Sequence, residues 1–577
     1  MRLGATDAIG SCTHRESPLI LGVLGHRELD SARVPRLRDA LTAFLSDLKQ
    51  HLPDTQLRMV VGITRGADLL FVREALERDL HVEMVLPAAP DACTAHFDSD
   101  DRAALHGLLA AANVGSTVLS PPPFVNSGDD PDRDSAMYTT LTEALVRRSS
   151  VLLTLWHGHS PARGGIAAAA LRHVGVHTHH DDAEISLVML GLADDVDSSD
   201  SVVYWTPGAL EQTRSPATSG VATHMPSQLV RQLADLNTYN RDLRRLLARY
   251  PSRPLGSLLA GVPDDVPLDD RPALETIDAE YGKADALALH YQSRSDRLFG
   301  LFAAMAFTMG LTYLTYDKLA HRNSLLVSYL VVLICSLGLY YALRGRRWFA
   351  KHLTYRALAE TLRVTFYLRL AGIDHRLDAA RVLALSGINR FRGFSLITHV
   401  LAALGVPDAH AADRKSPDLD RSRCMEREWI EGQHRYFIAK VAQLRRKGRR
   451  VKLLKNVLFS TIVVVIVAMI LSDNVMEGYK ILHGVSLKSA VTFVEGLFAL
   501  LLGAWQLHDN NKASRELLLQ YRNQGSHFSR ARQQLAELTN VDERNRILIE
   551  LGRDSLMECY MWTIHRYHRE HEPAGRR

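Results

Sequence analysis

The pattern of apolar and polar residues differs between the two halves of the chain. Before Pro207, short apolar runs alternate with amphipathic segments, which predicts βαβ units around a parallel sheet. The predicted strands are residues 19–24, 59–63, 82–86, 116–119, 151–156 and 202–206. The predicted helices are residues 31–51, 67–78, 102–112, 135–148 and 166–173. We therefore expect an α/β domain in the first half.

The second half contains four apolar stretches that are long enough to cross a bilayer. They are residues 298–315, 324–343, 454–471 and 490–507. At about 1.5 Å per residue, roughly 18–20 helical residues cross the hydrocarbon layer of about 30 Å. Short polar loops join the first stretch to the second and the third to the fourth, which predicts two transmembrane helical hairpins. The alternative is four buried helices of a large soluble domain.

Lysine and arginine residues near the ends of these stretches predict their orientation. They precede the first and third stretches and follow the second and fourth, and the densest run is residues 445–455. The two short loops hold only two basic residues each. We therefore expect both termini on the cytoplasmic side. The charged helices that enter and leave each hairpin should pair as helical stalks.

These patterns predict six segments. They are a tail (1–16), an α/β domain (17–208), a connector (209–272) with one helix at residues 226–249, a first helix–span–span–helix unit (273–372), a helical linker (373–428) and a second such unit with a C-terminal helix (429–577). Within the linker, residues 394–405 are apolar, but their short length and His399 predict a soluble core helix.

Three predicted strands run into turns that contain glycine with basic or aromatic residues. Open α/β sheets bind ligands at the carboxyl ends of their strands, and glycine lets the backbone approach a ligand closely. The residues expected to contact a ligand are Gly25, His26, Arg27, Gly62, Thr64, Gly66, Asp68, Trp156, Gly158, Arg163, Gly164 and Gly165. Because arginine can neutralise phosphate and Trp156 can stack on a base, a nucleotide-derived ligand fits these turns. For any single turn, the alternative is that glycine ends a strand for steric reasons alone.

Polar residues inside the apolar stretches are candidates for a membrane function. Glu495 lies in the fourth stretch, where an ionisable side chain is costly, and Thr308, Thr312 and Thr315 share one face of the first. They could line a pore or a seam between subunits. The alternatives are threonine hydroxyls that bond to their own helix and a Glu495 that stays hydrated near the interface.

Composition and charge exclude several other classes. The 577 residues are 46% hydrophobic and 23% charged, which excludes a disordered or collagen-like chain. The net charge of +5 is small, so we expect no specific nucleic-acid partner. The five cysteines lack the spacing of a disulfide framework or zinc site, which favours a reducing compartment. The histidine- and aspartate-rich region after Gly175 is predicted to be an exposed insertion, and no metal site is expected.

The order of motifs in the first half resembles the SLOG superfamily. The resemblance rests on GxxGHR at residues 22–27, GxxxGAD at 62–68, LPxxP at 86–90 and LWxG at 155–158, followed by a Gly-Gly turn. It implies a Rossmann-like fold, which that superfamily uses in nucleotide hydrolases and in bacterial nucleotide sensors.

The second half resembles SLATT-type membrane effectors of bacterial conflict systems. The residues that carry this resemblance are 284–291, 355–364, 429–433 and 558–566. Together, the two resemblances imply a multi-pass protein of the bacterial inner membrane that forms homo-oligomers and takes part in antiviral defence. A nucleotide second messenger would bind the SLOG-like domain and lead to pore formation or membrane disruption.

The chain departs from the hydrolytic SLOG members at one element. Those members carry PGGxGTxxE, whereas residues 162–170 place Ile166 at the threonine and no carboxylate on the following helix. Since alanine and isoleucine cannot transfer protons, this departure favours binding without turnover. The alternative is a membrane-tethered hydrolase of nucleotide or NAD N-glycosidic bonds, with Asp68 as the candidate catalytic carboxylate.

Overall fold

A computed structural model describes most of both halves of the chain. The described residues are 16–24, 34–62, 67–86, 99–111, 113–119, 140–142, 144–145, 148–156, 186–191, 201–205, 227–251, 254–263, 266, 268, 271–373, 394–404, 419–471, 480–482, 485–512 and 514–571. They belong to two compact units. The first comprises Met1–Leu287, Thr354–Met425 and Asn540–Arg577, and the second comprises Ala288–Leu353 and Glu426–Thr539.

A mostly parallel sheet forms the centre of the first unit. Its described strands are β1 (Leu19–Leu24), β2 (Leu57–Gly62), β3 (His81–Leu86), β4 (Val114–Val118), β5 (Val151–Trp156), β6 (Ser186–Gly191) and β7 (Ser201–Trp205). Their order is β4-β3-β2-β1-β5-β6-β7, and every neighbouring pair is parallel except β6 and β7. The helices α1 (Val34–His51), α2 (Ala67–Glu77) and α3 (Ser99–Leu109) connect the first four strands. The predicted α/β class is confirmed.

Burial explains why these apolar runs form strands. All six residues of β1 are buried, as expected for a central parallel strand that is covered on both faces. The three connecting helices begin and end within three residues of their predicted bounds. Residues 166–173, and most of the predicted helix 135–148, lie outside the described residues.

Strand β6 corrects the prediction for the region after Gly175. Residues 186–191 pair in parallel with β5 and antiparallel with β7, so they are an inner strand and not an exposed insertion. The strand lies in an apolar run, residues 185–193, that closely follows a segment rich in aspartate and histidine. That polar flank hid the strand signal.

The segment predicted to be a connector contains a buried helix of the first unit, α4 (Ser227–Arg249). Leu236, Tyr239 and Asn240 of this helix are fully buried. It is therefore part of the core. Residues 395–403 form the predicted soluble helix, α8, in which His399 is buried. Burial lowers the pKa of His399 to about 4, which keeps the imidazole neutral at physiological pH.

The remaining chain is mostly helical. Its elements are α5 (Arg271–Lys318), α6 (Asn323–Arg344), α7 (Trp348–Leu370), α9 (Leu419–Met425), a π-helical stretch (Glu426–Glu431), α10 (Gly432–Leu471), β8 (Lys480–Leu482), β9 (Val485–Ser486), α11 (Leu487–Lys512), α12 (Ser514–Glu537) and α13 (Val541–His571). Among the described residues, four helices are long and apolar enough to cross a membrane. They are Arg271–Lys318, Asn323–Leu343, Arg421–Leu471 and Leu487–Gln506.

The apolar windows of these four helices are exposed. No more than 6% of any window is buried, and large side chains such as Ile470 and Leu471 are 71% and 82% exposed. A soluble protein would cover such surfaces with its own core. This exposure opposes the alternative of a soluble helical domain and agrees with a multi-pass membrane protein.

In the second unit, the helices that flank the apolar windows pair as the sequence predicts. In the second hairpin, Phe437 of α10 packs against Tyr521 and Phe528 of α12, with ring centroids 5.8 Å apart in both pairs. In the first hairpin, Arg294 of α5 lies over the ring of Trp348 at the start of α7, 5.4 Å from its centroid. Each hairpin is therefore extended by a packed pair of amphipathic helices.

Candidate functional site

The strand order creates a switch point at the centre of the sheet. From β1, the chain adds β2, β3 and β4 on one side and then crosses to add β5 and β6 on the other. Leu24 at the end of β1 lies opposite Thr154 near the end of β5. The strand order therefore reverses between β1 and β5, and doubly wound sheets bind ligands at such a position.

The three predicted turns follow the three central strands. They begin at the ends of β1, β2 and β5, which are neighbours, and Val23 lies opposite Val61 near the ends of the first two. Of the predicted contact residues, Gly62, Asp68 and the backbone of Trp156 are described. The others lie outside the described residues. They are Gly25, His26, Arg27, Thr64, Gly66, Gly158, Arg163, Gly164 and Gly165.

Packing explains the glycine at the end of β2. A Cβ atom on Gly62 would come within 2.8 Å of Leu145, and one on Gly22 of β1 would overlap the Ser149 hydroxyl. The residues that precede β5 therefore lie directly on β1 and β2, and a side chain at either glycine would displace them. This is the steric alternative for Gly62, and it requires no ligand contact.

Asp68 lies in the first turn of α2, and 3% of it is exposed. A carboxylate at this position interacts favourably with the positive end of the helix dipole. The buried side chain is therefore placed to stabilise the start of α2.

Glu83 and Arg148 join β3 to the residues before β5. Both terminal nitrogens of Arg148 donate to the two oxygens of Glu83 at 2.6 Å, and Thr117 of β4 donates to Glu83 at 2.7 Å. Burial alone would raise the pKa of Glu83, but the hydrogen bonds and charge of Arg148 outweigh it and hold the pKa below its ordinary value. The sequence analysis missed this pair, although a glutamate within an otherwise apolar strand signals a buried partner.

A second polar cluster lies at the opposite end of β1. The Ser17 backbone N–H donates to Asn240 Oδ1 of α4 at 3.0 Å, and Asn240 Nδ2 donates to the Ser17 carbonyl at 2.9 Å. The Ser17 hydroxyl donates to Glu280 of α5 at 2.7 Å, and Lys283 donates to the same carboxylate at 2.7 Å. All four residues are buried. They attach the amino end of β1 to both helices.

One residue of this cluster, Glu280, belongs to a helix that also contains a candidate membrane span. Glu280 lies on α5, the helix whose later residues form the first apolar window. The strand that ends at the switch point is therefore hydrogen-bonded, at its other end, to the helix that continues into that window. Sequence reasoning did not identify Ser17, Asn240 or Glu280, because their partners are distant in the sequence.

The threonines of the first apolar window are satisfied within their own helix. The hydroxyl of Thr308 donates to the Ala304 carbonyl at 3.0 Å, and that of Thr312 donates to the Met309 carbonyl at 2.9 Å. The hydrogen bonds of Thr315 follow the same pattern, with the Leu311 carbonyl as acceptor at 2.8 Å. These hydroxyls therefore need neither a pore nor a partner subunit to meet their hydrogen-bonding requirement.

Glu495 lies beside a close contact between α5 and α11. Leu500 of α11 packs over Gly310 of α5, and a Cβ atom on Gly496 would come within 2.7 Å of Leu314. The side chain of Glu495 is half-buried and forms no hydrogen bond or ion pair with a described residue. It is an ionisable group in an apolar window that still lacks a partner within the described chain.

Metal-ligand clusters are absent from the residues that the structure describes. The histidines and aspartates of residues 177–182 lie outside that part of the chain. Comparisons with family models, curated proteins and solved structures find no match to this chain.

Proposed function

We propose that this protein is a membrane-bound sensor and effector that responds to a nucleotide-derived ligand. The ligand binds at the carboxyl edge of the sheet and changes the arrangement of the transmembrane helices in a homo-oligomer. The membrane then becomes leaky. In line with the SLOG and SLATT resemblances, this response serves antiviral defence at the bacterial inner membrane, with both termini in the cytoplasm.

The adjacency of the β1, β2 and β5 ends is the observation that carries the proposal. Glycine-bearing turns with Arg27, Arg65, Arg163 and Trp156 follow these strands in the sequence. A phosphate needs cationic or N–H donors, and a base needs an aromatic face. Residues of both kinds lie at or after the ends of three neighbouring strands, and this combination matches the chemistry of a nucleotide.

The link between Ser17 and Glu280 supports a coupling from the sheet to the membrane region. A ligand can shift an equilibrium only by binding two states with different affinity. A change at the carboxyl end of β1 is transmitted by a short, buried strand to a hydrogen bond on α5. Because α5 contains the first apolar window, the two ligand-dependent states would differ in the position of that helix.

The burial of Asp68 favours the sensor over the hydrolase alternative. A general acid or base must come within hydrogen-bonding distance of the reacting group. Asp68 is 3% exposed, and the helix element that carries the glutamate of hydrolytic SLOG members has alanine here. The burial of Asp68 and the alanines of residues 167–170 therefore support binding without turnover over hydrolysis.

Calorimetry on the full chain in lipid nanodiscs tests the proposal. The probes are a panel of cyclic nucleotides and ADP-ribose derivatives. At least one should bind, and Arg27→Ala should weaken it by about tenfold or more, the effect of one lost charge-assisted hydrogen bond. The matched control is Arg73→Ala, at an exposed site on α2, which should leave the affinity unchanged.

The same probe should release a trapped dye from vesicles that contain the protein. Half-maximal release should need about tenfold more probe with Arg27→Ala. A folded chain that binds no member of the panel contradicts the sensor function. Release of a free base from a labelled nucleotide, abolished by Asp68→Asn, would instead establish the hydrolase.

A further inference from the structure

The helix α10 carries a dense run of basic residues just before its apolar window. We define this run as the basic collar. Its members are Arg445, Arg446, Lys447, Arg449, Arg450, Lys452 and Lys455. Gly432–Leu471, the whole of α10, contains no aspartate or glutamate. The positive charge of the collar is therefore not offset within its own helix.

The collar surrounds its helix. At about 100° per residue, positions 445, 449 and 452 share one side, while 446, 447, 450 and 455 are distributed over the rest of the circumference. All members are exposed except Lys455, which is half-buried. A protein groove or a nucleic-acid duplex would contact only one side of such a helix. A headgroup layer that encloses the helix contacts every side.

The charges of the collar are unpaired within the described chain. Its one polar side-chain contact to a described residue is the hydrogen bond from Lys455 to Gln506 of α11. The basic residues around the first hairpin differ in this respect. Arg294 and Arg346 both lie over the ring of Trp348, and Lys351 lies over the ring of Tyr291.

The length of the collar matches the depth of a charged membrane surface. Ten residues of helix rise by about 15 Å. The headgroup region of one leaflet is roughly 5–8 Å thick, and the surface potential extends about one Debye length further, roughly 8 Å in physiological salt. The two together cover the distance from Arg445 to Lys455.

We propose that the basic collar binds the phosphate groups of anionic phospholipids and enriches them around the second hairpin. This inference rests on the membrane placement within the proposed function, but not on the ligand at the sheet edge. The arrangement of the second hairpin would then depend on the fraction of anionic lipid in the membrane. The first hairpin, where Arg294, Arg346 and Lys351 lie over aromatic rings, would be less sensitive.

Electron spin resonance on the full chain in vesicles tests this inference. The vesicles contain phosphatidylcholine with spin-labelled phosphatidylglycerol or spin-labelled phosphatidylcholine as the probe. The motionally restricted fraction reports how strongly each lipid associates with the protein. We expect phosphatidylglycerol to be preferred by about fivefold, the factor contributed by one basic residue near an anionic surface. At about 1 M salt, where charges are screened beyond roughly 3 Å, the preference should fall to near unity.

The collar variant replaces Arg446, Lys447, Arg449 and Arg450 with glutamine and should lose most of the preference. The control replaces four exposed arginines of α12 and α13 with glutamine and should retain it, although the change in net charge is the same. The control positions are Arg530, Arg532, Arg546 and Arg553. The salt titration of the unaltered chain needs no variant, so the inference stays testable even if the collar variant fails to fold.

Three results would overturn the inference. If the collar and control variants preferred phosphatidylglycerol equally, the preference would come from residues other than the collar. Tight binding of a DNA duplex at about 0.15 M salt, without a preference for phosphatidylglycerol, would assign the collar to nucleic acid. A chain that fails to float with vesicles after alkaline extraction would refute the membrane placement itself. That last result differs from a failure of nucleotide binding, which calorimetry detects separately.

Discussion

Glu83 is a charged residue among the apolar residues of β3. It stabilises the folded chain because its carboxylate accepts two hydrogen bonds from Arg148. The carboxylate form is favoured in the folded state, since its pKa lies below the ordinary value. A group with a lowered folded pKa stabilises the protein above its unfolded pKa, about 4.3 for glutamate, and this contribution is lost as the pH falls through the folded pKa.

Glu83→Gln should therefore reduce the free energy of unfolding by about 2 kcal/mol near neutral pH, the scale of a hydrogen bond to a charged group. The difference between the variant and the unaltered chain should shrink as the pH falls below about 4.3, because the native carboxylate is then also protonated. Denaturant titration of the full chain in a mild detergent at several pH values measures both quantities. A difference that grows towards acidic pH would contradict the ion-pair explanation.

At the scale of elements, two glycines allow α5 and α11 to pack closely. Gly310 accepts Leu500 and Gly496 accepts Leu314, so each helix supplies one glycine and one leucine, four residues apart. Small residues let helix backbones approach in a membrane, where van der Waals packing replaces the hydrophobic effect as the driving force. The contact joins the first hairpin to the second within the second unit.

Gly496→Val should weaken this helix pair, because the new side chain must displace Leu314. We expect a loss of about 1–3 kcal/mol, the usual cost of overpacking. The matched control is Gly503→Val on the same helix, where a Cβ atom would meet nothing within 4 Å. Thermal unfolding in detergent, followed by intrinsic fluorescence, should show a lower transition temperature for Gly496→Val than for Gly503→Val. Equal transitions would show that the glycine contact contributes nothing.

At the scale of the whole molecule, residues that are distant in sequence hold the first unit together. Ser17 and Glu280 are 263 positions apart, and Asn240 bonds to both backbone groups of Ser17. Tyr355 of α7 also donates to Asp242 of α4, at 2.8 Å. Helices that follow the sheet in the sequence are therefore hydrogen-bonded to the start of β1, directly for α4 and α5 and through α4 for α7.

Asn240→Ala should destabilise this assembly by about 2 kcal/mol, since it leaves buried groups of Ser17 without partners. Amide exchange should accelerate together in β1 and in residues 271–287, which no local effect on α4 would produce. Thr238→Ala is the control, because its hydroxyl accepts a hydrogen bond only from Arg241 on the same helix, at 3.4 Å. Exchange that rises in α4 alone would contradict a shared core.

Local pattern was sufficient for much of the architecture. The six predicted strands and the four apolar stretches were recognisable because each is a short run with its own period or length, independent of its neighbours. The pairing of the stalk helices also followed from their apolar faces. Strand β6 was missed because its apolar run, residues 185–193, lies between segments rich in aspartate, histidine and serine, and the whole region was interpreted as an insertion. The helix α4 was predicted at residues 226–249, but it was assigned to a connector because proline, serine and aspartate surround it.

The amino-acid sequence by itself determined the α/β class, the four apolar helices and the types of residue that follow the central strands. Only the tertiary structure decided that β2, β1 and β5 are neighbours, that Gly62 packs against Leu145, and that Ser17 bonds to Glu280. The physical reason is the sequence separation of the residues that interact. Hydrophobic period and span length are properties of consecutive residues, whereas strand order, steric fit and buried polar pairs depend on residues that only the folded chain brings together.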